Sequence, residues 1–188
     1  MKIILASQSP FRKHALDILG LKYEVMPASL DEFKIKHENP FVRAKLLAES
    51  KAKKVGETSS DAIVIAADLF VAQNNKIYEK PKTKQEASQM LASFSGKYLN
   101  IITGLAVYNS STKNILSSAD SCKIEFRELT TSEIIDYMSK APVMKCAGAF
   151  EADGLLRFVK NISGSYNFMV GMPMDKLIEF LRKNEINV

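Results

Sequence analysis

A mixed α/β fold is what this sequence predicts, on three observations. Short apolar runs, KIILAS at the start and DAIVIAAD from residue 61, alternate with segments of helical periodicity. Two long runs, YLNIITGLAVYN and ILSSADSCKIEFREL, flank a polar SSTKN and read as an antiparallel pair. Strand and helix patterns interleave along the whole chain, which favours a sheet covered by helices over a sandwich. At 188 residues the chain fits one domain, or two merged lobes, and can bury roughly 70% of its unfolded surface.

The elements follow in order. KIILAS is a buried strand that feeds directly into a helix over 10–19, with Ser9 as cap, Pro10 at the first helical position and Gly20 as the stop. That helix is expected to bury Phe11 or Ala15, Leu16, Ile18 and Leu19. KYEVMPAS offers a second strand. Residues 40–55 carry Phe41, Ala44, Leu47, Ala48 and Val55 at helical spacing, leaving Lys45, Lys51 and Lys54 for the polar face. DAIVIAAD reads as a buried strand with Asp68 at its carboxyl end. LFVAQNNKIYEK has the composition of a hairpin, and Thr83 with Glu86 three residues on starts a further helix. Helices over 131–139 and 174–183 complete the pattern, with no repeat, low-complexity tract or linker.

Composition narrows the classes. A content of 46% hydrophobic and 25% charged residues is ordinary for a globular protein, so neither metal nor disulfide is needed as a staple. The net charge of +5 favours a polyanionic partner, which includes nucleic acid, an acidic surface and a phosphate-bearing small molecule. There is no arginine-rich arm and no aromatic RNA-binding signature, so no stable nucleic-acid partner is expected. The two cysteines, Cys122 and Cys146, lie in no CxxC and imply reduced thiols. No apolar run is long enough to span a membrane, and a cytoplasmic protein is expected.

Three groups of residues invite chemistry. The first is the strand-to-helix junction, where Ser7, Ser9 and the unpaired N–H groups of the helix start make an anion site. Arg12 and Lys13 sit in the first turn, where the helix dipole disfavours cations. An anion would neutralise them; side chains in open solvent are the alternative. The second group is Asp68, with Asp31 and Glu32 in an irregular segment able to approach it. An aspartate of ordinary pKa is a weak base, but beside a divalent cation it can polarise water. Its alternative is a helix cap or turn. The third group is Lys51 and Lys80, point charges suited to phosphate oxygens and, taken singly, equally suited to a plain surface.

Eight stretches occur together in the order and spacing of the Maf family: LASQSPFRKHALDILG, DEF at 31–33, ESKAKKV, AAD ending at Asp68, EKPKTKQEASQML, SGKYLNIITGLAV, CAGAFEADG and ISGSYNFMVGMP. They span nearly the whole chain, and the sequence resembles that family throughout. The resemblance implies an elongated α/β fold like that of the inosine triphosphate pyrophosphatases, with two lobes around a deep cleft. It implies a nucleoside triphosphate pyrophosphatase that cleaves between the α- and β-phosphates with Mg²⁺ or Mn²⁺. Asp68 becomes the proton acceptor, and Glu32 a supporting carboxylate that shares the metal with it. Ser7, Ser9, Arg12, Lys51 and Lys80 become the phosphate-facing set. The family also suggests a homodimer, and its association with septum formation gives a rival, non-enzymatic role in cell division.

Several positions depart from the family pattern SPRR, ADT and YxIQG that goes with dTTP and UTP. Phe11 replaces the first arginine, Leu69 the threonine and Asp153 the glutamine before Gly154. Leu99 stands where a histidine often follows SGK, and Cys146 replaces a lysine before AlaGly. Together these resemble the branch acting on 7-methyl-GTP, which carries an aromatic, a CAGxF run and an acidic residue. A 7-methylated guanine is cationic, so Phe11 can stack on it with a contribution of about 0.5–2 kcal/mol. Asp153 can accept from guanine N1–H and the exocyclic amine. In the alternative, Phe11 packs in the core and Asp153 caps a turn. The expected substrate is 7-methyl-GTP or a related modified nucleotide, with dTTP and UTP as the rival.

Overall fold

The computed structural model describes residues 1–74, 76–164 and 171–188. It contains a mixed seven-stranded sheet in the order β2-β1-β3-β5-β6-β7, with β4 paired to β3. The strands are β1 Lys2–Leu5, β2 Glu24–Val25, β3 Ala62–Gln73, β4 Lys76–Tyr78, β5 Tyr98–Asn109, β6 Ile115–Phe126 and β7 Val159–Gly164. The helices are α1 Pro10–Ile18, α2 Pro40–Gly56, α3 Lys84–Phe94, α4 Thr131–Lys140, α5 Ala152–Leu155 and α6 Met174–Lys183. The chain divides into two compact units, the first formed by Met1–Leu69, Thr103–Asp120 and Val170–Val188, the second by Phe70–Ile102 and Ser121–Met169.

In the first unit, β1 pairs in parallel with both β2 and β3. The pleat of β3 sorts its side chains between two cores. Ile63, Ile65 and Ala67 join Ala15 and Leu16 of α1 and Leu177, Phe180 and Leu181 of α6. Ala62, Val64 and Ala66 join Ala48, Ala52 and Val55 of α2. Small residues let α2 lie close to the sheet. A Cβ built on Gly104 of β5 would collide with the backbone carbonyl of Ala44, so only glycine admits the helix at that distance.

The second unit holds the antiparallel pairs β3–β4 and β6–β7. Phe94, Phe126, Phe150 and Phe158 form its aromatic core, joined by Tyr78 and Tyr137 at its edges. Thr83 accepts from the Glu86 N–H at 3.0 Å, and Thr130 with Glu133 completes a capping box on α4.

Several expectations need correction. Ile18 is 58% exposed, because with Ala15 and Leu16 buried the helical phase turns residue 18 outward. The strand expected in KYEVMPAS shrinks to two residues. The strand holding Asp68 continues to Gln73, so Asp68 lies inside it rather than at its carboxyl end. Ser9 occupies the cap position without a side-chain capping bond. Lys51 is buried and does not belong to the polar face of α2. In the ISGSYNFMVGMP stretch, residues 165–170 lie outside the described residues, as does residue 75 in the hairpin.

Candidate active site

Asp68 continues the even-numbered row of β3, the row that faces α2. On α2, the buried stripe runs Ala44, Leu47, Ala48, Lys51, Ala52, Val55, with spacings of three and four. Lys51 therefore stands in a core-facing position of its helix, directed at the strand. Its Nζ lies 2.5 Å from Asp68 Oδ1 and 3.0 Å from Glu32 Oε1. Lys51 is 8% and Asp68 7% exposed, which makes theirs a buried ion pair, whereas Glu32 reaches in from the surface. A 3₁₀ turn over Glu32–Lys34 positions Glu32. Asp31 turns away to meet Lys34 at 3.4 Å, so only one of the two acidic residues of that segment joins the site.

The strand-to-helix junction supplies the second half. Arg12 precedes Ala15 and Leu16 by three and four residues and so shares their inward phase. Arg12 Nη1 donates to Ser7 Oγ at 3.0 Å, and Nε donates to the Gly171 carbonyl at 3.3 Å. The Ser9 N–H donates to the same Ser7 hydroxyl oxygen at 3.2 Å. Ser7 is buried and Ser9 half-buried. Gly171 holds φ at +70°, a conformation that lets its carbonyl face Arg12 and that a side chain resists. Phe11 is half-buried and, among the described residues, joins neither the cluster of Ala15 and Leu16 nor that of α2. Leu69, half-buried, falls on the opposite face of β3 from Asp68.

The charges perturb one another. Burial raises the Asp68 carboxyl above its ordinary value, against the opposing pull of Lys51 and Arg12, and Glu32 adds to the rise. Burial lowers the Arg12 guanidinium, with Asp68 and Glu32 opposing. A buried carboxylate held ionised by cations beside it, yet easier to protonate than a free aspartate, is suited to accept a proton.

Lys80, Asp153 and Cys146 belong to the second unit. There the Gly148 N–H donates to the Glu79 carbonyl at 3.2 Å, which joins the EKP stretch to the CAG stretch. Lys80 is exposed, and its charge opposes the rise that burial gives the Cys146 thiol. Asp153 is exposed in the first turn of α5. That short helix is fixed by Tyr137, whose hydroxyl accepts from the Glu151 N–H at 3.2 Å and whose ring leaves no room for a side chain at Gly154. Burial pushes the Tyr137 hydroxyl up to about 12, so it remains a neutral partner.

A hard divalent cation prefers carboxylate oxygens, and Asp68 and Glu32 already converge on one cation, the Lys51 ammonium. The donor set therefore fits Mg²⁺ or Mn²⁺. No group of three or more His, Cys, Asp or Glu residues gathers among the described residues, so phosphate and water would complete the coordination. Among the described residues no helix is long and apolar enough to cross a membrane.

Gly171 and Gly104 carry no local sequence signal of their roles, because each role is set by what approaches it, Arg12 in one case and the Ala44 backbone in the other. The helical phases of Lys51 and Arg12 were available: both lysine and arginine stand at core-facing positions among apolar residues, which is the signal of a buried charge.

A family model described as Maf-like protein matches residues 2–184. A protein of Aquifex aeolicus named dTTP/UTP pyrophosphatase is 38% identical, with 97% of this chain and 95% of that protein covered. A protein of Aliivibrio fischeri named 7-methyl-GTP pyrophosphatase is 35% identical, with 100% of this chain and 98% of that protein covered. A solved structure of a nucleoside-triphosphatase / dITP/XTP pyrophosphatase from Mycobacterium abscessus shares 14% identity, covers 67% of this chain and 74% of its own, and has a TM-score of 0.41, too low to bear on the fold.

Proposed function

We propose, since this chain belongs to the Maf family, that it is a nucleoside triphosphate pyrophosphatase, releasing a nucleoside monophosphate and pyrophosphate. The observation that carries the reading is the constellation of buried Ser7, Lys51 and Asp68 with half-buried Arg12 and surface Glu32, which combines an anion-binding helix start with a basic carboxylate. In this reading Ser7, Ser9, Arg12, Lys51 and Lys80 hold the triphosphate. Asp68 accepts the proton of the water that attacks the α-phosphorus, and the bridging oxygen leaves with pyrophosphate. Asp68 and Glu32 would hold a divalent cation, which when bound offsets phosphate charge and makes water more acidic.

The proposed substrate is 7-methyl-GTP or a related modified nucleotide. A half-buried Phe11 outside the two clusters seen among the described residues supports a stacking role, and an exposed Asp153 supports contact with a donor-rich base edge. The rival reading, dTTP and UTP, draws on the Aquifex aeolicus relative, whose identity is about as high. Pyrophosphate release from 7-methyl-GTP, GTP, UTP and dTTP tests both levels. Preference for 7-methyl-GTP supports the proposal, and equal or greater activity on UTP removes the base assignment while keeping the reaction. Release from none of the four removes the reaction itself.

A further inference from the structure

We propose that the Lys51 ammonium and a divalent cation are alternative occupants of the Asp68–Glu32 carboxylate pair, so that Lys51 must leave the pair for a metal to enter it. The inference rests on the pyrophosphatase reading and extends it to the coupling between metal and nucleotide.

The geometry carries it. One ammonium lies within 3.0 Å of an oxygen from each of two carboxylates, the arrangement that a small hard cation takes between oxygen donors. A metal ligated by the same oxygens would be brought against that ammonium, and like charges at such range in a partly buried site repel strongly. The two cations therefore compete. Lys51 is also the movable member of the site. Among the described residues its polar partners are these two carboxylates, whereas Arg12 is tied to a serine hydroxyl and a backbone carbonyl. A lysine's flexible stem lets its charge be redirected, and here the stem emerges between Leu47, Ala48, Ala52 and Val55 of the buried stripe.

Where the ammonium goes is then constrained. Placed in an apolar stripe, it gains little by losing one anionic partner without another, because an unpaired buried charge is strongly disfavoured. An incoming polyphosphate supplies the replacement. Metal and nucleotide then bind with positive coupling, each making the other's entry easier by the same factor. The free protein, by contrast, holds its carboxylates neutralised by its own lysine and has low affinity for metal alone.

The test is a titration of the nucleotide-free protein with Mn²⁺ at pH 8, with free Mn²⁺ followed by electron paramagnetic resonance. Lys51→Met is expected to bind Mn²⁺ at least tenfold more tightly than the wild type. The double variant with Asp68→Asn is expected to lose that gain, which locates it at this pair. Lys51→Gln carries the same expectation and serves if Lys51→Met does not fold. Affinity in the lysine variants that is unchanged or weaker overturns the proposal. So does a gain that survives Asp68→Asn. The readout involves no turnover, so failure of the wild type to release pyrophosphate would remove the functional reading without altering this result.

Discussion

The charged groups of the two units are treated differently by the fold. In the first unit, Ser7, Lys51 and Asp68 are buried and every one is engaged by another member of the site. In the second, Lys80 and Asp153 are exposed and form no hydrogen bond or ion pair among the described residues. Packing fixes Ser7 and Asp68 before any ligand arrives, as preorganised electrostatics requires, while Lys51 is held by its ion pairs until a ligand redirects it. The second group is held at the backbone only, through the Gly148–Glu79 bond and the Tyr137–Glu151 bond. In the proposed reading this separates a reaction built into the core from a base preference carried on the surface. Substitutions in the first group should then change both rate and stability, whereas Asp153 should change selectivity and Lys80 the binding of every nucleotide, both with little effect on stability.

The largest effect is expected at Asp68. Asp68→Asn keeps the shape and removes the proposed proton acceptor, and should lower kcat by about 10²–10⁴-fold in a pyrophosphate-release assay. Its stability should move separately. The folded carboxyl has a pKa above its ordinary 3.8, so the native state binds that proton more tightly than the unfolded chain. The group therefore favours folding below pH 3.8, and that contribution is lost as pH rises through the folded pKa. Urea unfolding in chelator should show the wild type losing ground to Asp68→Asn from pH 4 toward neutrality. A wild type that gains ground over that range would contradict the burial argument.

Next in size is the approach of α2 to β5. Gly104→Ala places a methyl against the Ala44 backbone, which cannot yield as a side-chain tip can. A loss of about 1–3 kcal/mol is expected from overpacking, read as a lower urea midpoint. Because α2 carries Lys51, the same variant should also weaken nucleotide binding. Retained binding at reduced stability would mean that the helix position is less critical to the site than the Lys51–Asp68 geometry suggests.

The contrast between the units also explains what could be read from the sequence. Helix ends with strong local signals were legible: the Thr83 cap and α6 after Pro173 come from contacts only a few residues apart. The alternating strand–helix pattern likewise gave the mixed sheet. Boundaries set by distant partners were not legible. The hairpin run from Leu69 shows strand character past Asp68, but nothing local makes DAIVIAAD and LFVAQ one unbroken strand. The charge of Lys51 points to the polar face of α2, whereas its helical phase, shared with Leu47, Ala48 and Val55, points to the core, and the phase prevails. The short 3₁₀ turns and α5 escaped notice, being too brief to show any period.

A smaller effect is expected at Phe11. Leucine preserves apolar bulk but offers no aromatic face, so Phe11→Leu should cost the cationic base about 0.5–2 kcal/mol. The ratio of kcat/KM for 7-methyl-GTP over GTP should fall by about 2–30-fold, with the GTP value changing less. An unchanged ratio would leave Phe11 without a part in base recognition.

The smallest structural effect, and the sharpest test of the contrast, belongs to Asp153. Exposed and unpartnered among the described residues, it contributes to stability only through its place in the first turn of a four-residue helix. A substitution there should stay within about 0.5 kcal/mol. Asp153→Gln nevertheless exchanges two acceptors for one acceptor and a donor, which matches the mixed edge of uracil better than the donor edge of guanine. The variant should shift kcat/KM toward UTP and away from 7-methyl-GTP while the urea midpoint stays in place. A fall in activity on all nucleotides alike would instead make Asp153 part of the common machinery, and the division between buried chemistry and surface selectivity would have to be redrawn.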